Sequence, residues 1–187
     1  MSVRSNLASP AADRLVPPIL ARWRGWMEQH PSRAALALGV LLGPLGLLCT
    51  SLAGILAQFF LPPESWGNSA AAGMGRMGLI GMLFAAVVFA PLFETLLGQV
   101  LPIETARRFG ARPVLCVLLS ALVFACGHYL NVGLIHGITT FFGGAIFACA
   151  YVPLRPAGIW PACIASSTAH ALHNGLAILI MAFFKVS

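Results

Sequence analysis

The sequence predicts an all-α fold: a multi-pass transmembrane helical bundle of about five spans, six if the last apolar run divides, preceded by an interfacial amphipathic helix. Three observations predict it. Of the 187 residues, 59% are hydrophobic and only 9% charged, and the mean hydropathy of +0.88 lies beyond that of a soluble domain of this size. Apolar runs of about 20 residues recur along the chain, long enough to cross a hydrocarbon layer of roughly 30 Å as helices. Lysine and arginine collect in the segments between those runs, as they do in loops that set membrane orientation.

Residues 1–34 form the first unit, a basic segment with Arg4, Arg14, Arg22, Arg24 and Arg33 against Asp13 and Glu28. It has no apolar core of its own, which argues against a cleavable signal peptide. Its stretch ILARWRGWMEQH predicts an interfacial helix, with Trp23 and Trp26 at headgroup depth and the arginines on anionic lipid. The basic balance is thus accounted for by the membrane, and nucleic acid is not an expected partner. Residues 35–187 form the second unit. The spans expected within it are 35–60, 77–103, 113–131, 134–154 and 157–184. The first is rich in glycine (Gly39, Gly43, Gly46, Gly54) and carries Pro44, while the second carries Pro91 and Pro102, so kinks are expected in both. Gly175 is the point at which the last run would divide in a six-span arrangement.

With the amino terminus in the cytoplasm, Arg4, Arg14, Arg22, Arg24, Arg33, Arg107, Arg108, Arg112 and Arg155 all fall inside, and only Arg76 and Lys185 fall outside. That asymmetry predicts an N-in, C-out topology. Cys49, Cys116, Cys126, Cys149 and Cys163 all lie within apolar runs and form no CxxC pair. They read as small packing residues and say nothing of compartment.

Ionisable groups inside a membrane span are costly and mark functional sites by default. Glu94, His128, His136, His170 and His173 are such groups, joined by the neutral Gln99 and Asn174. Glu94 lies about 16 residues before the turn near residue 110 and His128 about 17 after it, on the order of 25 Å at 1.5 Å per residue, so the two are level in an antiparallel pair. His170, about 15 residues beyond the turn near Arg155, reaches the same depth at the same rise. Three ionisable side chains from three spans therefore share one layer. His170 and Asn174 stand at i,i+4 with His173 near the same face, and Phe124 stands at i,i+4 to His128, giving it an apolar wall. Gly98, one turn from Glu94, is expected to leave room beside the carboxylate for a substrate backbone or a water. His136, between Gly133 and Gly137, reads as an interhelical bridge of lesser importance.

The stretches APLFETLLGQ (90–99), FACGH (124–128) and HALHN (170–174) resemble the three motifs of the CPBP family of intramembrane proteases, which includes the CAAX-type prenyl-protein endopeptidases and bacterial relatives linked to bacteriocin processing. The family pattern is E-E-x-x-x-R, F-x-x-x-H and H-x-x-x-N, and the resemblance covers roughly residues 80–177. Thr95 stands where the family has its second glutamate and Gln99 where it has arginine. The resemblance implies that residues 35–187 are a protease-like helical domain in a bacterial inner membrane, acting on a membrane-associated protein, a leader peptide or a C-terminal sorting signal. It implies Glu94 as the base that activates water, His128 as the group that holds that water, and His170 and Asn174 as donors to the oxyanion. Thr95, Gln99, Phe124 and His173 would support them.

No cofactor is expected. Zinc held by Glu94, His128 and His170 is the competing mechanism, but HExxH is absent and Asn174 is a poor zinc ligand. Two rival functions remain at this stage. A non-catalytic immunity factor or scaffold would explain Thr95 and Gln99. A proton relay or small transporter would spread its polar groups through the membrane, whereas here they gather in one layer.

Overall fold

The computed structural model describes residues 18–67 and 77–184. A short helix α1 (Pro18–Gln29) leads into α2 (Pro31–Phe60). Then follow α3 (Gly78–Arg108), α4 (Pro113–Val132), α5 (Leu134–Tyr151) with a 3₁₀ extension Val152–Ala157, and α6 (Ile159–Phe184). No strand occurs among the described residues. Helices α2 to α6 are the five that are long and apolar enough to cross a membrane, and Gly175 lies inside an unbroken α6. The chain is an integral membrane protein. Its outward faces agree: Leu41 is 67% exposed, Phe60 83% and Ile80 84%, apolar surface that only lipid would cover.

Local sequence sets the helix ends. Pro31 and Pro113 open α2 and α4, where the missing N–H would lack a partner anyway. Tight reversals after α4 and before α6 rest on Gly133 (φ 126°) and Gly158 (φ 134°), conformations that a side chain would strain. Helix α1 occupies the predicted interfacial stretch. Its Trp26 and Met27, however, pack against the buried core, so Trp26 is a packing residue. The side chain of Trp23, and Arg4, Asp13, Arg14, Arg76 and Lys185, lie outside the described residues. All five cysteines are free.

Helices α2 and α6 meet through glycine. A Cβ on Gly43 would lie 2.7 Å from Leu172 Cβ and 2.9 Å from the Ala169 carbonyl oxygen, and one on Gly39 would lie 2.6 Å from Thr168 Cβ. In lipid, where burial gives no drive, such close backbone approach is what holds helices together. The glycines expected to bend α2 thus serve as its contact face, and the helix runs unbroken through Pro44.

Helix α3 departs most from regularity. It contains two π-helical runs, Phe84–Phe89 and Leu96–Val100, and each is followed, one residue later, by a proline. Ala90 N–H still reaches back five residues to Ala85, and Leu101 N–H to Leu96. The next residues, Pro91 and Pro102, have no N–H with which to continue. The expected kinks therefore take the form of two π turns, and Glu94 sits on the short α-helical stretch Ala90–Thr95 between them.

Candidate active site

Three helices deliver the polar layer. Helix α4 presents Ser120, Phe124 and His128 at i, i+4 and i+8, and α6 presents Ser166, His170 and Asn174 at the same spacing. One face of each helix is thereby turned to α3. Glu94 Oε2 lies 3.4 Å from His128 Nε2 and 3.6 Å from His170 Nε2. Both distances exceed the length of about 2.7–2.9 Å typical of a direct charge-assisted hydrogen bond. The carboxylate oxygen is thus shared by two imidazoles without being closed off by either. His170 is nearly buried, while the side chains of Glu94 and His128 retain 30% and 24% exposure, an opening through which a reactant can reach them.

The two rings differ in what they present. His128 Nδ1 lies 2.8 Å from the Phe124 carbonyl oxygen. A carbonyl only accepts, so Nδ1 carries the proton, and in the neutral ring Nε2 is a lone pair beside Glu94, free to accept from a reactant placed between them. His170 Nδ1 is buried without a protein partner. An unmet lone pair costs less than an unmet N–H, so the proton belongs on Nε2, which points at Glu94. His170 can thus donate to the carboxylate, while the His128 lone pair is left to accept from a third group, such as a water, that also donates to Glu94.

Phe124 walls the site. Its ring centroid lies 4.4 Å from that of His128 and 5.6 Å, edge-on, from that of His170. The room expected beside Gly98 is not open: a Cβ there would meet Phe124 Cδ2 at 2.5 Å. The ring fills the space that the glycine leaves. His170 also stacks on Phe147, with centroids 4.4 Å apart.

The remaining candidates divide. Thr95 and Gln99 are buried, and Thr95 Oγ1 and both polar atoms of the Gln99 amide have no protein partner. Asn174 Nδ2 donates to the Ala86 carbonyl oxygen at 2.8 Å, not to Glu94. His173 is not gathered into the layer. Its ring meets Phe147 edge-on at 5.5 Å, its Nδ1 has no protein partner, and it faces Gly46 of α2. At three residues from His170 it is rotated off the site face.

His136, read as a bridge, lies with its ring 5.2 Å from that of His128. A signal for this existed in the sequence, because Gly133 separates His128 and His136 by nearly equal distances and so places them at one height. A second polar cluster went unforeseen. Arg155 donates from Nε to Glu104 Oε1 at 2.6 Å and from Nη2 to Oε2 at 3.0 Å, and Tyr151 donates to Oε1 at 3.0 Å. This bidentate pair ties the end of α3 to the turn that launches α6, fixing the two helices that carry Glu94 and His170.

The family model described as type II CAAX prenyl endopeptidase, Rce1-like, matches residues 76–176, more than half of the chain and all of the layer. No curated protein and no solved structure matches.

Proposed function

Because the chain belongs to the Rce1-like family of type II CAAX prenyl endopeptidases, a protease family, we propose that it is an intramembrane endopeptidase that hydrolyses a peptide bond with water activated by Glu94. The observation that carries this reading is the placement of one carboxylate oxygen 3.4 and 3.6 Å from two imidazole nitrogens contributed by different spans.

Water entering beside Glu94 donates one hydrogen to the carboxylate and the other to His128 Nε2, which leaves an oxygen lone pair free for the carbonyl carbon. Glu94 takes the proton as the C–O bond forms. His170 Nε2–H donates to the oxyanion, in a layer shielded enough that a fixed donor counts for more than it would in water. Collapse of the tetrahedral intermediate breaks the C–N bond, and Glu94 returns its proton to the leaving amine. Thr95 and Gln99 take no part in this sequence. The substrate class that suits a site at this depth is a membrane-associated protein, cleaved near a leader or a C-terminal sorting signal.

The test is a comparison of new peptide termini in membranes of cells carrying the wild type and cells carrying Glu94→Gln. Termini that appear only with the wild type support proteolysis and name the substrate. Identical profiles from two stably expressed proteins would favour the non-catalytic reading, to which Thr95 and Gln99 lend support. Purified enzyme that loses activity and a stoichiometric zinc together on chelation would overturn the metal-free mechanism.

A further inference from the structure

Each π run in α3 is followed, after one residue, by a proline, and each proline withholds an N–H from a carbonyl in the preceding turn. In the register that Ala90 establishes by donating to Ala85, the N–H of residue 91 would serve Ala86; Pro91 has none. Leu101 likewise donates five back, to Leu96, and the α-helix Leu101–Arg108 follows, so at this change of register the N–H of residue 102 would serve Leu97 by the π spacing or Gly98 by the α spacing; Pro102 has none. The Ala86 and Gly98 carbonyls nevertheless have donors, supplied by other spans. Asn174 Nδ2 reaches the Ala86 carbonyl oxygen at 2.8 Å, and Ser120 Oγ reaches the Gly98 carbonyl oxygen at 2.6 Å.

The location of these two bonds gives them their meaning. Ala86 and Gly98 bracket Glu94 on either side. Asn174 stands one turn from His170 on α6, and Ser120 stands two turns from His128 on α4. Each bond therefore fixes the helix that bears the carboxylate against a helix that bears one of its imidazoles. A backbone carbonyl left without a partner inside lipid is costly, so the donor holds the π turn in the one rotation that brings Glu94 between the two rings.

We propose that Asn174 and Ser120 are positioning residues, which replace the N–H groups missing at Pro91 and Pro102 and thereby set Glu94 between His128 and His170. For Asn174 this is an alternative to the oxyanion contact that the motif resemblance implies, and the role rests on the proteolytic reading of the site.

The experiment is a pair of rescue cycles: Asn174→Ala, Pro91→Ala and their double variant, then Ser120→Ala, Pro102→Ala and theirs. Restoring an N–H at 91 or 102 supplies the carbonyl from within α3, so the side-chain donor becomes dispensable. Each donor variant alone is expected to lower kcat about 100-fold, the effect of misplacing a catalytic group by about 1 Å, with KM within threefold of wild type. In the matching proline-to-alanine background the same substitution is expected to change kcat less than threefold.

A double variant as inactive as Asn174→Ala alone would overturn positioning and assign the amide to the oxyanion. Thermal midpoints supply a second reading that needs no activity. Asn174→Ala is expected to lower the midpoint in the wild-type background by about 2–4 °C per kcal/mol of lost bond and to leave it unchanged in the Pro91→Ala background. Should Asn174→Ala fail to fold, Asn174→Leu, which keeps the size and loses the donor, takes its place in the same cycle. A chain that releases no new termini but still shows the midpoint rescue would refute the proteolytic reading alone. Equal midpoint losses in both backgrounds would refute the clamp.

Discussion

Gly98→Ala is the substitution whose consequence can be worked most fully from the structure. The added Cβ would lie 2.5 Å from Phe124 Cδ2, where carbon atoms ordinarily rest about 3.5–4.0 Å apart, so something must move by about 1 Å. The ring has no retreat. Gly144 closes in from the other side, where a Cβ would stand 2.9 Å from Phe124 Cβ, and Phe147 meets the ring edge-on at 5.9 Å. The strain passes to α4, whose Phe124 carbonyl accepts from His128 Nδ1, and hence to the 3.4 Å contact with Glu94. Overpacking of this kind costs about 1–3 kcal/mol of stability, and a 1 Å displacement of a catalytic group costs about 100-fold in rate. Rates are to be measured by mass spectrometry on the peptide identified from the terminus comparison, in parallel with thermal midpoints. The expected result is a kcat loss near that size in a folded protein, partly recovered in Gly98→Ala/Phe124→Leu. Wild-type rate and midpoint in Gly98→Ala would refute the argument that Phe124 is wedged against His128.

Two further outcomes follow from the burial and placement of single residues. His136→Ala is expected to lower activity less than tenfold, because its ring meets that of His128 and not Glu94; a loss equal to that of His128→Ala would mean that the wrong histidines have been chosen. Gln99→Leu is expected to raise the thermal midpoint, since a buried amide without a partner costs about 1–3 kcal/mol per unmet group. A lowered midpoint would show the amide to be partnered.

Part of the site could be read directly from the chain. The spacing of Glu94, His128 and His170 from the intervening turns placed all three at one depth, and the structure brings each histidine within 3.6 Å of Glu94. What the spacing could not supply was rotation about each helix axis. His173 lies only three residues from His170 yet faces α2 and α5, while His136, read as an interhelical bridge, meets the ring of His128. Gly98 looked like open space from its own helix, and a phenylalanine on the next span fills it.

The sequence by itself determined that the protein lives in a membrane, where its spans run, and which polar groups share a level, because hydropathy and height along a helix depend only on composition and on a constant rise per residue. Tertiary structure alone decided which faces meet. Rotation is set by glycine contacts between α2 and α6, by the two π turns at Pro91 and Pro102, and by the Glu104–Arg155 tie. Each π turn shifts every later side chain by about a residue's worth of rotation. That shift is invisible until the neighbouring helix shows which carbonyl Asn174 or Ser120 has come to serve.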